Sequence, residues 1–293
     1  MEAFSFLFGI TFLWIMFATV QDLRTREVAN WLTFSLIAVA LAYRGFVAAF
    51  SGAWGIWWWG VIGCAVFVLL AHAFYYGRVF AGGDAKLLMG TGIALPYQSL
   101  NELILWGSTF LFALFFCGAL YTLVYSVRLV VVNRKAFGTV FFSELKKQRW
   151  LFVFSVVVAC VLALVVAGND DMRLLGVVAI ALVLVIPLLY AYLQSIEHAC
   201  LIRLRKPKEL REGDWLVKTV RVGNKKIAAS VHGLSSDEIR LLQRYRKQVM
   251  IKEGVPFVPA FLIAYGFMGY VALTGTLDLS QFLLSLSSQA RAF

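Results

Sequence analysis

The stretch AGGDAKLLMGTGIALP, residues 81–96, decides how the chain is threaded. It is apolar and glycine-rich, carries Asp84 and Lys86 near its start, and closes on Leu95-Pro96. A bilayer core takes roughly 20 apolar residues per helix, so a run this short reads as a half-buried or re-entrant helix. Counted as a span over about residues 84–97, it brings the total to eight. The other seven lie at about 3–21, 30–50, 54–76, 102–128, 150–167, 173–193 and 255–275.

Composition agrees with a membrane protein. Of 293 residues, 61% are hydrophobic and 15% charged, with 25 Phe, 9 Trp and a mean hydropathy of +0.81, far from the profile of a soluble domain. The first apolar run is preceded by Glu2 and followed by Arg24 and Arg26. Without a basic leader it reads as a retained transmembrane helix and not as a cleaved signal peptide. The expected fold class is therefore all-α, a polytopic transmembrane helical bundle of about eight spans with a small cytoplasmic α+β insertion.

Loop charge orients the bundle, because Lys and Arg collect on the cytoplasmic side. With the N-terminus outside, 24 of the 27 basic residues fall inside, leaving only Arg44, Arg173 and Arg291 outside; 11 of the 16 acids also fall inside. Asp22 then closes the first span, and Asp84 opens the fourth, on the same cytoplasmic face. Trp54, Trp57, Trp58 and Trp59 fall at the opposite interface as an aromatic belt.

The residues around the two aspartates resemble a known family. Asp22-Leu-Arg-Thr-Arg26-Glu-Val-Ala-Asn30-Trp-Leu is similar to the D-x-x-x-R-x-I-P-N-x-L segment of type IV prepilin peptidases. Ala81-Gly82-Gly83-Asp84-Ala85-Lys86-Leu87 resembles their G-x-G-D-x-K-L motif, which is shared with presenilin-like intramembrane aspartyl proteases. Pro256-Phe257-Val258-Pro259 looks like the Pro-Phe-x-Pro start of the family's last helix. Two positions depart from the pattern: Ala81 stands at the motif's first glycine, and Ala29 where proline is frequent. The resemblance implies an aspartic endopeptidase with Asp22 and Asp84 catalytic. Arg26, Asn30, Gly82, Gly83, Lys86, Pro256, Phe257 and Pro259 would support the motifs or the substrate. Bacterial members usually add a cysteine-rich domain and N-methylate the trimmed pilin. Here Cys64, Cys117, Cys160 and Cys200 are far apart with no CxxC pair. The chain accordingly looks like the archaeal preflagellin and prepilin branch, which cleaves without methylating.

Two carboxyls have a chemical reason to be paired. Water attacks a peptide bond readily when one group takes its proton while another protonates the carbonyl oxygen or leaving amine. Neighbouring carboxyls do not both ionise easily, so the pair supplies base and acid at once. An ordinary helix cap competes as an explanation of Asp84. Asp22 is harder to explain that way, since an acid at the C-terminal end of a helix opposes the dipole and only Arg24 and Arg26 offset it. Lys86 either biases the dyad or reaches toward lipid phosphates. Gly82 and Gly83 would let an extended substrate backbone pass close to Asp84.

The division expected is 1–130, a catalytic transmembrane domain; 131–193, a cytoplasmic loop and apolar two-helix hairpin with Asp170-Asp171 in its outer turn; 194–254, a basic cytoplasmic insertion; and 255–293, the last transmembrane helix and tail. Gln194 to Gly254 holds 14 basic and 7 acidic residues. In it Trp215–Arg221 and Lys226–Ser230, joined through Gly223-Asn224, read as a hairpin, and Ser235-Ser-Asp-Glu238 as a capping box opening a helix. Partners implied are precursor pilin or archaellin polypeptides and the lipid bilayer. A nucleic-acid partner is not supported, nor is any cofactor, and His72, His198 and His232 share no metal-ligand spacing. The alternative reading is a transporter or channel with gating acids at the rim; it requires ionisable groups near mid-bilayer, and the spans have almost none.

Overall fold

A computed structural model describes residues 2–167, 173–223, 225–230 and 233–274. The expected Asp170-Asp171 turn, Asn224, His232 and the tail with Arg291 lie outside these residues. Ten α-helices are present among those described: α1 (Glu2–Thr25), α2 (Asn30–Ser51), α3 (Gly55–Tyr76), α4 (Gly82–Ala94), α5 (Leu100–Val132), α6 (Arg134–Lys147), α7 (Arg149–Ala167), α8 (Arg173–Ile196), α9 (Ser236–Arg244) and α10 (Val258–Thr274). Six of them, α1, α2, α3, α5, α7 and α8, are long and apolar enough to cross a membrane. The chain is a multi-pass, all-α membrane bundle with a small sheet-bearing insertion.

Among the described residues, two of the eight expected spans differ from the expectation, α4 in length and α10 in where it starts. Helix α4 has 13 residues, about 20 Å at 1.5 Å per residue, against a hydrocarbon core of about 30 Å. Pro96 ends it: Leu95 is extended at φ −73°, ψ 146°, as a residue before proline should be. Helix α10 begins at Val258, three residues after the expected start, because the preceding Pro256-Phe257 segment is not helical. Conversely, α6 forms where the charges of Arg134, Lys135, Lys146 and Lys147 read as a loop; its Glu144 pairs with Lys147 at 2.6 Å.

The chain divides into two compact units, Met1–Leu123 with Gly254–Phe293, and Val124–Glu253. In the first, α4 lies between α2 and α3 and also touches α1, while α10 packs along α1. Close approach is bought by glycine. A Cβ on Gly92 of α4 would stand 2.3 Å from Phe67 of α3, and one on Gly63 of α3 would strike the Tyr97 ring. Small residues at helix crossings allow this in membranes, where packing replaces the hydrophobic effect as the driving force. Phe67, Phe110, Phe261 and Tyr265, each at most 1% exposed, fill the centre.

Arg44 corrects the sequence reading of loop charge. It is not an outer-surface cation; it lies within α2, 1% exposed. Its Nε donates to the Ile93 carbonyl at 2.8 Å and its Nη1 to that of Ile56 at 2.9 Å, while Nη2 donates to Leu95 O. The Ile93 and Leu95 carbonyls at the end of α4 have no water to turn to in a bilayer and give this charge its partners.

In the second unit α7 packs on α8 and α8 on α6. A three-stranded antiparallel sheet follows, with β1 (Ile202–Arg205) and β2 (Trp215–Leu216) flanking β5 (Val249–Lys252), and a separate hairpin of β3 (Val220–Val222) and β4 (Lys225–Ile227). The expected hairpin thus exists but is shorter, since Trp215 and Leu216 pair with Lys252 and Ile251 instead. Leu216, Val222, Ile227, Leu242 and Ile251 close a small core of their own. Ser235 caps α9 as the capping box requires, accepting from the Glu238 amide at 3.4 Å while Glu238 accepts from the Ser235 amide at 2.9 Å.

Gly92→Ala tests the α3–α4 crossing. The added methyl has only the buried Phe67 ring to displace, so overpacking of about 1–3 kcal/mol outweighs the smaller gain in helix propensity. A lowered Tm in detergent is expected, and an unchanged Tm would contradict the packing described.

Candidate active site

Asp22 lies in the last turn of α1 and is buried, 6% exposed. Its backbone carbonyl accepts from Arg26, whose φ of 58° ends the helix by turning the chain left-handed. The side chain points across the bundle. Its Oδ2 accepts a hydrogen bond from the amide of Val258, the first residue of α10, at 3.1 Å. A carboxylate poorly placed for its own helix dipole is therefore well placed for another helix, at whose N-terminus negative charge is favoured. Arg26 lies within electrostatic reach of the same carboxylate.

Asp84 occupies the third position of α4, not the cap. The helix starts two residues earlier than the sequence suggests, at Gly82, with Ala81 as the capping residue. Asp84 folds back so that its Oδ2 accepts from the Ala81 amide at 3.2 Å, which satisfies one of the orphan donors of the first turn. Ala81 itself sits at φ −72°, ψ 166°, an extended geometry open to any residue, so alanine in the place of glycine carries no backbone strain. Asp84 is 8% exposed and within electrostatic reach of Asp22. The two carboxyls, from separate helices, are thus near enough to interact electrostatically.

Most of the supporting residues gather around them. Lys86 Nζ donates to Asn30 Oδ1 at 2.5 Å, tying the second motif to the first residue of α2. Gly83 faces the turn between α1 and α2: a Cβ there would lie 3.4 Å from the Val28 amide nitrogen and side chain. Gly82 is more open, with Tyr75 at 3.8 Å its nearest neighbour. Pro256 is buried and Pro259 falls in the first turn of α10, where a missing amide costs nothing. Phe257 packs over Gly118 and stands 5.5 Å from the buried Phe80 ring, centroid to centroid. Arg26 is exposed.

Three contributors were not singled out from sequence. Gln21 accepts the Ala29 amide through Oε1 at 3.1 Å and so closes the turn between α1 and α2. Val28 supplies the wall against Gly83, and Phe80 with Phe115 and Phe257 forms an aromatic wall ahead of α4. Val28 lies inside the quoted motif at its aliphatic position, which was a usable signal; Gln21 and Phe80 gave none. Among the described residues, no group of three or more His, Cys, Asp or Glu side chains is placed to hold a metal ion.

Residues 9–127 match the model of the type IV leader peptidase family. Over this segment, less than half of the chain, the protein is similar to that family. The match takes in Asp22, Asn30, Asp84 and Lys86, and it ends before the α10 residues that complete the surroundings of Asp22. No curated protein and no solved structure matches the chain significantly. The similarity supports reading the protein as a peptidase.

The contact between Asp22 and α10 separates structure from chemistry. Asp22→Ala removes the acceptor for the first amide of α10 and is expected to cost about 0.5–2 kcal/mol, the range for losing a helix cap. Asp22→Asn keeps an acceptor oxygen and should retain most of that stability. Thermal unfolding of the two variants in detergent checks this; equal losses would show that the bond to Val258 contributes nothing.

Proposed function

We propose that the protein is a membrane-embedded aspartyl endopeptidase that removes the short basic leader of type IV pilin-like or archaellin precursors, with Asp22 and Asp84 as the catalytic dyad. The observation that carries this reading is that two buried carboxyl groups from separate helices lie within electrostatic reach of each other, next to Gly82 and Gly83. One carboxylate takes a proton from water as it attacks the scissile carbonyl. The other donates its proton to the carbonyl oxygen and then to the leaving amine. The dyad shares one proton and titrates as a unit, so the roles belong to the pair. Amide hydrogen bonds from Val258 and Ala81 fix the two carboxyls in orientation, which limits the reorganisation needed during reaction.

The substrate must present an extended backbone, because a carbonyl within a helix is already hydrogen-bonded. A junction between a polar leader and an apolar helix frays most easily at the membrane surface. The half-buried Gly82 and Gly83 leave room there for a chain to approach Asp84. Exposed Arg24, Arg26 and Arg78 surround this end of the first unit, and by the positive-inside rule it faces the cytoplasm, with the N-terminus outside. The product is a trimmed precursor without N-methylation.

Membranes carrying Asp22→Asn or Asp84→Asn should cleave a model precursor, a basic leader followed by an apolar helix, at least about 10²-fold more slowly than wild type, the scale of a lost acid or base. Cleavage by either variant at the wild-type rate would refute the dyad. Wild-type rate against pH should trace a bell, since one carboxyl must be charged and the other protonated. For orientation, a cysteine at exposed position 24 (Arg24→Cys) should react with an impermeant thiol reagent only from the cytoplasmic side; mass analysis of the product should find a free, unmethylated amine.

A further inference from the structure

Arg44 is a buried cation that the proposed reaction does not use. The nine residues from Asp84 to Ile93 put about 14 Å of helix between the carboxyl and the guanidinium's contacts, so Arg44 touches neither aspartate. We infer that Arg44 is a positioning residue for the dyad: it anchors the C-terminal end of α4 and so sets where Asp84, at the other end, stands relative to Asp22. This rests on the peptidase reading for its functional meaning, although the anchoring itself does not.

The argument begins with the length of α4. A full transmembrane helix is held in depth by its two interfaces, but a 13-residue helix ending inside the protein is not. Its last carbonyls lack intrahelical partners, and Pro96 prevents the chain from continuing to supply them. Arg44 takes the Ile93 and Leu95 carbonyls, and with the same planar group takes Ile56 O at the start of α3. The guanidinium also lies over the Phe4 ring of α1 at 5.1 Å and the Tyr97 ring at 5.3 Å. One side chain from α2 thereby references α4 to α1 and α3.

The neighbouring sequence is cut to fit it. A Cβ on Gly60 of α3 would come 2.5 Å from Arg44 Cδ, and Gly63 gives the same relief to Tyr97. A positive charge also suits the negative end of the α4 dipole, while Asp22 and Asp84 deal with helix N-termini at the far end. Lysine cannot substitute fully. Its single ammonium has no rigid fork and would leave at least one of three divergent carbonyls unmet.

The test uses the full chain in liposomes and two independent readouts. Steady-state cleavage of the model precursor by Arg44→Ala should show kcat lowered roughly 10- to 100-fold, the cost of about an ångström of misplacement, with KM nearly unchanged because substrate does not reach Arg44. Arg44→Lys should recover part of kcat. The second readout needs no activity: Val28→Cys with Gly83→Cys, on a background in which the four native cysteines are replaced, places two Cβ atoms at disulfide distance. Oxidative cross-linking of this pair should be slowed several-fold by Arg44→Ala. Should Arg44→Ala not fold, Arg44→Lys and Gly60→Ala, which crowds the guanidinium, are read in its place. Wild-type kcat and wild-type cross-linking in the folded variants overturn the proposal. A wild-type chain that cleaves nothing, but whose cross-link depends on Arg44, would sink the peptidase reading while leaving the anchoring role supported.

Discussion

A helix that stops inside a membrane protein must have its terminal backbone groups met by the protein, and α4 is built around that requirement. Leaving a polar backbone group unpaired in hydrocarbon costs several kcal/mol. At the N-terminal end the Asp84 carboxyl folds back on the Ala81 amide. Toward the C-terminal end, Arg44 reaches over from α2 to the Ile93 and Leu95 carbonyls. Between these ends, glycines at 90 and 92 let α4 sink against Leu36 and Phe67. The helix is short, enclosed and fixed at both ends, which suits an element that carries the proposed catalytic Asp84.

The same economy holds for Asp22. A carboxylate in the last turn of a helix is unfavourable as long as only that helix is considered. The amide of Val258 changes the balance, because α10 starts where α1 ends and offers unpaired N–H groups. Each aspartate therefore has a structural reason for its position as well as the proposed chemical one. The structural roles require only an acceptor oxygen, so asparagine can fill them; acid–base exchange cannot be filled that way. Burial and partial satisfaction by amides leave each carboxyl oriented yet not neutralised by a buried cation.

Much of the site was legible in the sequence because its signals were local or topological. Motif spacing marked Asp22, Asn30, Asp84 and Lys86, and alternation of spans put the two aspartates on one side. What escaped reading depended on contacts distant along the chain. Nothing near Asp22 announces that it will meet Val258, 236 residues on. Arg44 was read as a surface charge because hydropathy averages over a window and does not see which carbonyls a neighbouring helix leaves open. The start of α4 was placed two residues late since Gly82 and Gly83 look like a loop, although glycine is tolerated at the first two helical positions when a third-position acid closes the turn. In the insertion, Trp215 and Leu216 alternate like a hairpin arm, but their partner is Val249–Lys252, beyond α9.

The segment that matches the leader peptidase family is not by itself the whole setting of the dyad. It supplies both carboxyls and the turn between α1 and α2, and it ends at residue 127. The amide that holds Asp22 comes from residue 258, after the entire Val124–Glu253 unit. Such a contact is of high sequence separation, and its loop-closure entropy is met only when α10 docks along α1. The insertion thus lies between two parts of one structural unit, and the chain's last described helix is required to orient an aspartate in its first. Pro256 lies buried in the non-helical entry to α10 and Pro259 in its first turn, where a missing amide costs nothing. Misplacing that start by one residue would rotate the donor away from Asp22 by about 100°, a constraint that follows from 3.6 residues per turn.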